Sequence, residues 1–224
     1  MSATMRILDI PKRPEPRLIA EFAKMVTPHL SDSMERLYAA GPQLRPMHNE
    51  GKLAGPAFTV KTAPGDNLLV HRALDTASPG DVIVVDAGGV LDNAIIGELM
   101  MSRARQRGVA GLVIWGAIRD SAEIGAGNYP VFASGVTHRG PYKNGPGEIN
   151  VPIVIGGMVI HPGDIIVGDA DGLVAVPQEI AEQVLASAKS ILAKETTAMK
   201  QIKDGTVDRS WVDKTLSDKG YKLP

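Results

Sequence analysis

Residues 81–120, DVIVVDAGGVLDNAIIGELMMSRARQRGVAGLVIWGAIRD, decide the fold of this chain. The β-branched run at 81–89, closed by two glycines, and the apolar run at 108–118 predict two strands, the second of them buried on both faces. The stretch between them, 97–108, has an apolar face and an arginine-rich face and predicts a helix. Strand, helix and strand within about 40 residues form a βαβ unit, so we expect the two strands to be parallel.

Regular patterns continue on both sides of this unit. Residues 15–40 predict helical structure, residues 52–65 a strand and residues 66–80 a further helix. After Asp120 the chain changes to short strands separated by glycine and proline, which favours antiparallel hairpins and sharp corners. A long helix with an apolar stripe is expected from Pro177 onward, because proline is favoured at the first helical position.

The composition is that of an ordinary globular protein. At 224 residues we expect one α/β domain over 1–224, with its core at about 30–176 and a helical C-terminal arm at about 177–224. The 24 basic and 25 acidic residues give a net charge of −1, so we expect neither nucleic acid nor a membrane as a partner. The chain has no cysteine, which excludes disulfides and thiolate chemistry. With no signal-peptide pattern and no long apolar run, we expect a soluble, cytoplasmic protein.

Polar groups gather at one predicted edge of the sheet. The helix start at Gly97 and the pair Arg119-Asp120 both follow strands, and ligands of open α/β folds bind at this carboxyl edge. The N–H groups of Glu98, Leu99 and Met100 have no intrahelical partners and carry the positive end of the helix dipole. Gly97 lets a ligand approach the backbone closely. The pattern therefore indicates a site for a carboxylate or a phosphate.

The two adjacent charges have two possible interpretations. Arg119 could hold a carboxylate through two hydrogen bonds, and Asp120 could supply an oxygen ligand to Mg²⁺ or Mn²⁺. The same pair fits a simple salt bridge in a loop, and the residues alone leave both open. Other motifs add nothing, because neither nucleotide-binding glycine motif is present and the five histidines lack metal-ligand spacing.

Six segments between about residues 30 and 205 together resemble one protein family. They are LAGPAFTV, GDNLLVHRAL, PGDVIVVDAGG, GELMMSRARQRGVAGLVIWGAIRDSAEI, PVFASG and VPIVIGGMVIHPGDIIVGDADGLVAVP. The family contains the 4-hydroxy-4-methyl-2-oxoglutarate and 4-carboxy-4-hydroxy-2-oxoadipate aldolases of aromatic degradation, and also the regulator of ribonuclease E activity (RraA).

The resemblance implies a fold and an activity. The fold would be a three-layer β/β/α domain of the swivelling type with a helical C-terminal arm, associating as homotrimers or homohexamers with sites between subunits. The activity would be that of a metal-dependent class II lyase, using Mg²⁺ or Mn²⁺. It would cleave a 4-hydroxy-2-oxo acid to pyruvate and a second 2-oxo acid, with oxaloacetate decarboxylation as a side activity.

The resemblance also implies roles for individual residues. The family motif is an acidic residue, a gap and then Arg-Asp, and Glu98 holds the acidic place where some members have Asp. The implied roles are catalytic for Glu98, Arg119 and Asp120, substrate binding for Gly97, Glu98, Leu99, Met100 and Arg119, and metal binding for Asp120, Glu123 and Glu195. Glu195 would act through a water on the site of a neighbouring subunit.

A non-catalytic regulator of ribonuclease activity on the same fold is the competing interpretation. The helix that carries Glu195 favours an enzyme, because these regulators tend to be shorter at this end. A lyase acting on another 2-oxo acid is the third possibility. The physiological substrate, the choice between Mg²⁺ and Mn²⁺, and the choice between trimer and hexamer stay open at this point.

Overall fold

A computed structural model describes residues 5–223 of the chain. Strands and helices alternate through its first half, and helices predominate at its C-terminal end. In chain order the elements are α1 (Pro16–Phe22), α2 (Thr27–Ser33), β1 (Arg45–Pro46), β2 (Leu53–Thr62), α3 (Leu68–Thr76), β3 (Val82–Asp86), β4 (Ala94–Ile96), α4 (Glu98–Gln106), β5 (Gly111–Ile118), α5 (Ser121–Gly125), β6 (Val131–Val136), β7 (Gly147–Ile149), β8 (Ile153–Ile155), β9 (Met158–Ile160), β10 (Ile165–Asp169), β11 (Gly172–Val176), α6 (Ala181–Lys203) and α7 (Ser210–Asp218).

The main sheet is mixed, with the strand order β1-β6-β5-β3-β2-β10-β11; β4 also pairs with β5, and β7 with β2. Strands β2, β3, β5 and β6 are parallel to one another, whereas β10 is antiparallel to both β2 and β11. The predicted βαβ unit is confirmed, because β3 and β5 are parallel neighbours and α4 lies between them in the chain.

Strand β3 shows why the central strands are continuous apolar runs. Successive side chains of a strand point to opposite faces of the sheet. Ile83 and Val85 join one buried cluster, beneath the helices α3 and α4. Val82 and Val84 join a second cluster, which also contains residues of β8, β9, β10 and β11. Both faces are therefore covered from Val82 to Val85, where a polar side chain would be buried without a partner; the strand's one polar residue, Asp86, stands at its partly exposed end.

The sheet curls so that its distant strands share the second cluster. Gly168 of β10 lies against Phe132 of β6, and a Cβ added to the glycine would stand 2.8 Å from the Phe132 ring. Phe132 is fully buried at this contact. The result is a nearly closed, barrel-like layer of strands with helices packed outside it, so the predicted three-layer β/β/α fold is confirmed.

A third buried cluster lies outside β10 and β11 and joins them to α1, α2 and the first turns of α6. The chain divides into two compact units, and the boundary falls between Ala188 and Lys189 on α6. The predicted helix after Pro177 is confirmed: a 3-10 turn at Gln178–Ile180 leads into α6, and the second unit contains the rest of α6 and α7. Helix α7 was not predicted. Within residues 5–223, no helix is both long and apolar enough to cross a membrane.

Two local predictions were wrong. Helical structure was expected up to residue 40, but α2 ends at Ser33, and the next turn places Glu35 and Arg36 in the left-handed region, with φ of 53° and 64°. The N–H of Arg36 donates to the carbonyl of Ser31 at 2.9 Å and closes the helix there. Strand β6 was expected in an antiparallel hairpin, yet it is parallel to β5, because α5 carries the chain back across the sheet.

Candidate active site

Strands β4 and β5 bring the two halves of the predicted site together. Ile96 and Ile118 are register partners at the carboxyl ends of these parallel strands. The backbone N–H of Arg119 then donates to the carbonyl of Ile96 at 3.0 Å. Consequently Gly97, which precedes α4, stands beside the Arg119-Asp120 pair although more than 20 residues separate them in the chain.

Asp120 reaches from the end of β5 to the first turn of α4. Its backbone is left-handed, with φ 54° and ψ 42°, a conformation that Asp tolerates better than most residues. Its Oδ2 accepts a hydrogen bond from the backbone N–H of Glu98 at 2.9 Å. The Nε of Arg119 lies 3.8 Å from the same oxygen, which is too far for a hydrogen bond. The salt-bridge interpretation therefore describes only a loose contact, and the firm partner of Asp120 is the helix start.

Gly97 has no room for a side chain. An added Cβ would overlap Oδ2 of Asp120 and would stand 2.9 Å from Cγ of Arg119. The φ of Gly97 is −146°, which any residue can adopt, so close approach rather than backbone freedom requires glycine here. At Gly97, two side chains of the site itself occupy the space in which the sequence predicts the close approach of a ligand.

A cavity of about 330 Å³ opens at this edge of the sheet. Its volume falls within the range of small-molecule sites. It is lined by Asn67, His71, Ile95, Ile96, Gly97, Leu99, Met100, Arg119, Asp120, Gly140, Pro141 and Lys143. Two of these side chains are permanent cations and one is a carboxylate, so the walls favour an anionic ligand.

His71 adds an uncharged polar group to the cavity at neutral pH. Burial, followed by the charge of Lys143, lowers the pKa of His71 below its ordinary value, against the smaller opposing effect of Asp75. A neutral imidazole can both donate and accept a hydrogen bond. The cationic character of the walls at neutral pH therefore comes from Arg119 and Lys143.

The loop that carries Lys143 is held by a buried carboxylate. Asp66, which is 3% exposed, accepts hydrogen bonds from the backbone N–H groups of Leu68 at 2.9 Å, Asn144 at 2.5 Å and Gly145 at 3.0 Å. The side chain of Asn93 donates to the carbonyl of Gly140 at 2.6 Å. Both ends of the segment 140–145 are therefore tied to the body of the fold.

Sequence reasoning missed this second wall of the cavity. Asn67, His71 and Lys143 line it; the first two lie in the predicted helix at 66–80, and none of the three was expected at the site. Asn67 is 2% exposed, and its Nδ2 donates to the carbonyl of Ile95 at 2.9 Å, which ties the start of α3 to β4. Asn67 and His71 could have been predicted from the cluster of polar residues at the start of a helix that follows a predicted strand.

The other predicted site residues lie apart from the cavity walls. The side chains of Glu98 and Glu123 are exposed and do not line the cavity. Glu195 lies on α6 in the second compact unit, so its role stays a prediction. Among residues 5–223, no group of three or more His, Asp or Glu side chains is arranged to hold a metal ion. Asp120 alone still fits as a ligand, because Mg²⁺ is often held by one or two carboxylates and completed by water and substrate.

Comparison with known proteins places this geometry in a family. A family profile described as RraA-like, Aldolase/RraA, matches residues 27–175. A protein of Halalkalibacterium halodurans provisionally named 4-hydroxy-4-methyl-2-oxoglutarate aldolase is 41% identical over 199 residues, which is 88% of this chain and 95% of that protein.

Solved structures agree with the profile. The RNA-processing inhibitor RraA from Thermus thermophilis matches with a TM-score of 0.64 and 32% identity, over 69% of this chain and 93% of that one. Streptomyces coelicolor RraAS2, an unusual member of the RNase ES inhibitor RraA protein family, matches with a TM-score of 0.76 and 26% identity, over 84% of this chain and 98% of that one. With the profile covering well over half of its length, the chain belongs to the RraA-like (aldolase/RraA) family.

Proposed function

We propose that the protein is a divalent-metal-dependent lyase that cleaves 4-hydroxy-2-oxo acids to pyruvate and a second 2-oxo acid. The substrates would be of the 4-hydroxy-4-methyl-2-oxoglutarate or 4-carboxy-4-hydroxy-2-oxoadipate type, with oxaloacetate decarboxylation as a side reaction. The observation that carries the proposal is the single cavity that joins Arg119, Asp120 and the start of α4. The aldolase name given to the Halalkalibacterium halodurans relative supports it.

The carboxylate and 2-oxo group of the substrate offer only hydrogen-bond acceptors, and this end of the cavity is rich in donors. The N–H group of Glu98 already donates to Asp120, so the next N–H groups of α4, those of Leu99 and Met100, and the guanidinium of Arg119 would hold the carboxylate. Asp120, which is 39% exposed, would hold a divalent cation, either Mg²⁺ or Mn²⁺. When bound, the cation would supply Lewis-acid polarisation of the 2-oxo group.

Cleavage requires stabilisation of a developing negative charge. The C3–C4 bond breaks, its electron pair passes into the enolate of pyruvate, and the C4 hydroxyl gives its proton to a water held by nearby carboxylates as it becomes the new carbonyl. Arg119 would donate a hydrogen bond to the enolate oxygen as the charge grows there. A proton added at C3 then gives pyruvate. Loss of CO₂ from oxaloacetate produces the same enolate, so one site would serve both reactions.

Further parts of the proposal concern the assembly. A cytoplasmic homotrimer or homohexamer would place Glu195 of one subunit near the site of its neighbour, where it and Glu123 would act on the metal. Glu98 would orient groups at the helix start. These roles rest on the family resemblance, and the exposure of Glu98 and Glu123 leaves both side chains available to a ligand or a second subunit.

The competing function, regulation of a ribonuclease without catalysis, draws support from the likeness to Thermus thermophilis RraA. Chain length does not separate the two functions, because the two RraA structures align with 69% and 84% of this chain. Catalysis does separate them.

The test is to incubate the protein with 4-hydroxy-4-methyl-2-oxoglutarate or oxaloacetate, with Mg²⁺ or with EDTA, and to measure pyruvate. We expect Mg²⁺-dependent pyruvate from both substrates, and loss of it in Asp120→Ala. No metal-dependent pyruvate from either substrate, or equal activity in the variant, would refute the proposal and favour the regulator.

A further inference from the structure

We propose that a second cavity of the molecule binds a small organic cation, and that Asp164 receives the charged group of this ligand. The cavity measures about 710 Å³, against about 330 Å³ for the candidate active site, and the two share no wall residue. It lies toward the opposite edge of the sheet, because the carbonyl of Asp164 accepts the N–H of Ala57, the register partner of Val82 at the start of β3. A ligand bound there would not compete with a substrate for the candidate active site.

The carboxylate of Asp164 is buried, and one of its two oxygens has no hydrogen bond. Asp164 is 5% exposed and lies in the turn between β9 and β10. Its Oδ2 accepts the backbone N–H of His161 at 2.7 Å. Its Oδ1 has no donor among residues 5–223, yet it is not one of the atoms sealed from solvent, so it opens into the cavity. This oxygen can therefore accept a hydrogen bond from a ligand at a place where water is largely excluded.

The electrostatics around Asp164 favour a positively charged ligand. The cavity wall carries three carboxylates, one lysine and one histidine. Burial raises the pKa of Asp164, and the charge of Glu179 raises it further, against the opposing effect of His161. The Nδ1 of His161 lies 3.7 Å from Oδ2, which is too far for a hydrogen bond, and the lysine, Lys12, is not among the charges that act on Asp164. A cation bound beside Asp164 and Glu179 would relieve both the burial of one carboxylate and the repulsion between the two.

The rest of the wall suits the apolar body of an organic ion. Apolar surface comes from six residues with rigid or branched side chains, Pro11, Tyr38, Pro152, Val159, Pro162 and Pro177. An aromatic ring such as that of Tyr38 attracts ammonium, amidinium and guanidinium groups. A bare metal ion fits less well, because in the described part of the chain no three His, Asp or Glu side chains are arranged to hold one. The class of ligand is therefore an amine, amidine or guanidine with a short apolar body.

The N-terminal wall of the cavity is fixed at both ends. The Nδ2 of Asn150 donates to the carbonyl of Leu8 at 2.8 Å, and the Nε2 of Gln178 donates to the carbonyl of Lys12 at 3.0 Å. Gly163 packs directly under this wall, since an added Cβ would overlap the carbonyl oxygen of Lys12. The cavity thus keeps its shape before a ligand enters, which reduces the entropy lost on binding.

Benzamidine and benzamide form a matched pair of test ligands, because they have the same ring and nearly the same shape and only benzamidine is a cation. In titration calorimetry we expect the wild-type protein to bind benzamidine roughly 10-fold or more tightly than benzamide. Asp164→Asn, which keeps an acceptor for the N–H of His161, should bring the two affinities together by weakening benzamidine alone. Glu179→Gln changes an exposed side chain that the fold does not need, and it should weaken benzamidine about threefold.

Asp120→Asn is the control, because it removes the carboxylate of the other cavity and should leave the preference for benzamidine unchanged. Equal binding of the two compounds by the wild-type protein would overturn the inference. An unchanged preference in Asp164→Asn, or its loss in Asp120→Asn, would do the same. If Asp164→Asn does not fold, an unchanged benzamidine affinity in Glu179→Gln decides against the site. The measurement needs neither Mg²⁺ nor turnover, so its result is independent of the proposed function.

Discussion

Replacing Gly97 with alanine isolates the close contact on which the site depends. The added Cβ would overlap Oδ2 of Asp120 and lie 2.9 Å from Cγ of Arg119, whereas carbon atoms in good contact are about 3.5–4.0 Å apart. Both side chains must therefore withdraw by roughly 1 Å. A displacement of that size can lower a catalysed rate by about 100-fold.

The cost to folding should be small by comparison. The side chains of Arg119 and Asp120 are 44% and 39% exposed, so they can rotate toward solvent. The main loss is the hydrogen bond from the N–H of Glu98 to Asp120, worth about 1 kcal/mol. We therefore expect Gly97→Ala to lower kcat/KM for pyruvate formation by about 100-fold while the free energy of unfolding falls by only about 1–2 kcal/mol.

The assay is pyruvate release from oxaloacetate, measured beside denaturant unfolding of the same preparations. Gly127→Ala is the control, because a Cβ there would meet its nearest neighbour, the carbonyl oxygen of Ile124, at an ordinary 3.6 Å and the backbone needs no positive φ. It should stay close to wild type in both measurements. If Gly97→Ala keeps its activity within about threefold, the contact does not position the catalytic pair and the reasoning is refuted.

Two further predictions concern the second wall of the cavity. Asp66→Ala should reduce the free energy of unfolding by about 2–4 kcal/mol in a denaturant titration, because three backbone N–H groups lose their buried acceptor; a loss below about 1 kcal/mol would mean that water replaces the carboxylate. The pKa of His71 is lowered in the folded state, so the unfolded state binds a proton more readily. The free energy of unfolding should therefore be highest above the ordinary imidazole pKa, and it should fall as the pH drops from there through the folded pKa. His71→Gln should show a shallower loss of stability than wild type from about pH 7 to about pH 5, and identical slopes would contradict the assignment.

The central elements of the fold could be predicted because their signals are local. The β-branched run of β3 and the apolar run of β5 predict strands directly. The helix between them, α4, predicts that these two strands are parallel, as the structure shows. The end of α2 could not be predicted in the same way. It depends on the left-handed turn at Glu35 and Arg36. Neither residue type favours this backbone conformation, and no local sequence pattern predicts it.

The residues of the candidate site could likewise be predicted only in part. Gly97, Arg119 and Asp120 could be brought together from the sequence, because parallel strands end at one edge of a sheet. Lys143 could not, because its position depends on Asp66, which lies nearly 80 residues earlier and acts through hydrogen bonds to the backbone. Such contacts depend on three-dimensional proximity and leave no periodic trace in the sequence.

The most direct test of the central claim is whether the protein forms the enolate of pyruvate. In D₂O, ¹H NMR follows the methyl signal of pyruvate as its protons exchange for deuterium, a reaction that needs the enolate but no substrate cleavage. We expect Mg²⁺-dependent loss of this signal with the wild-type protein. Arg119→Lys, which cannot form the same paired hydrogen bonds, should slow the loss by about 100-fold. Exchange no faster than in buffer, or exchange that is unaffected by EDTA and by Arg119→Lys, would contradict the account.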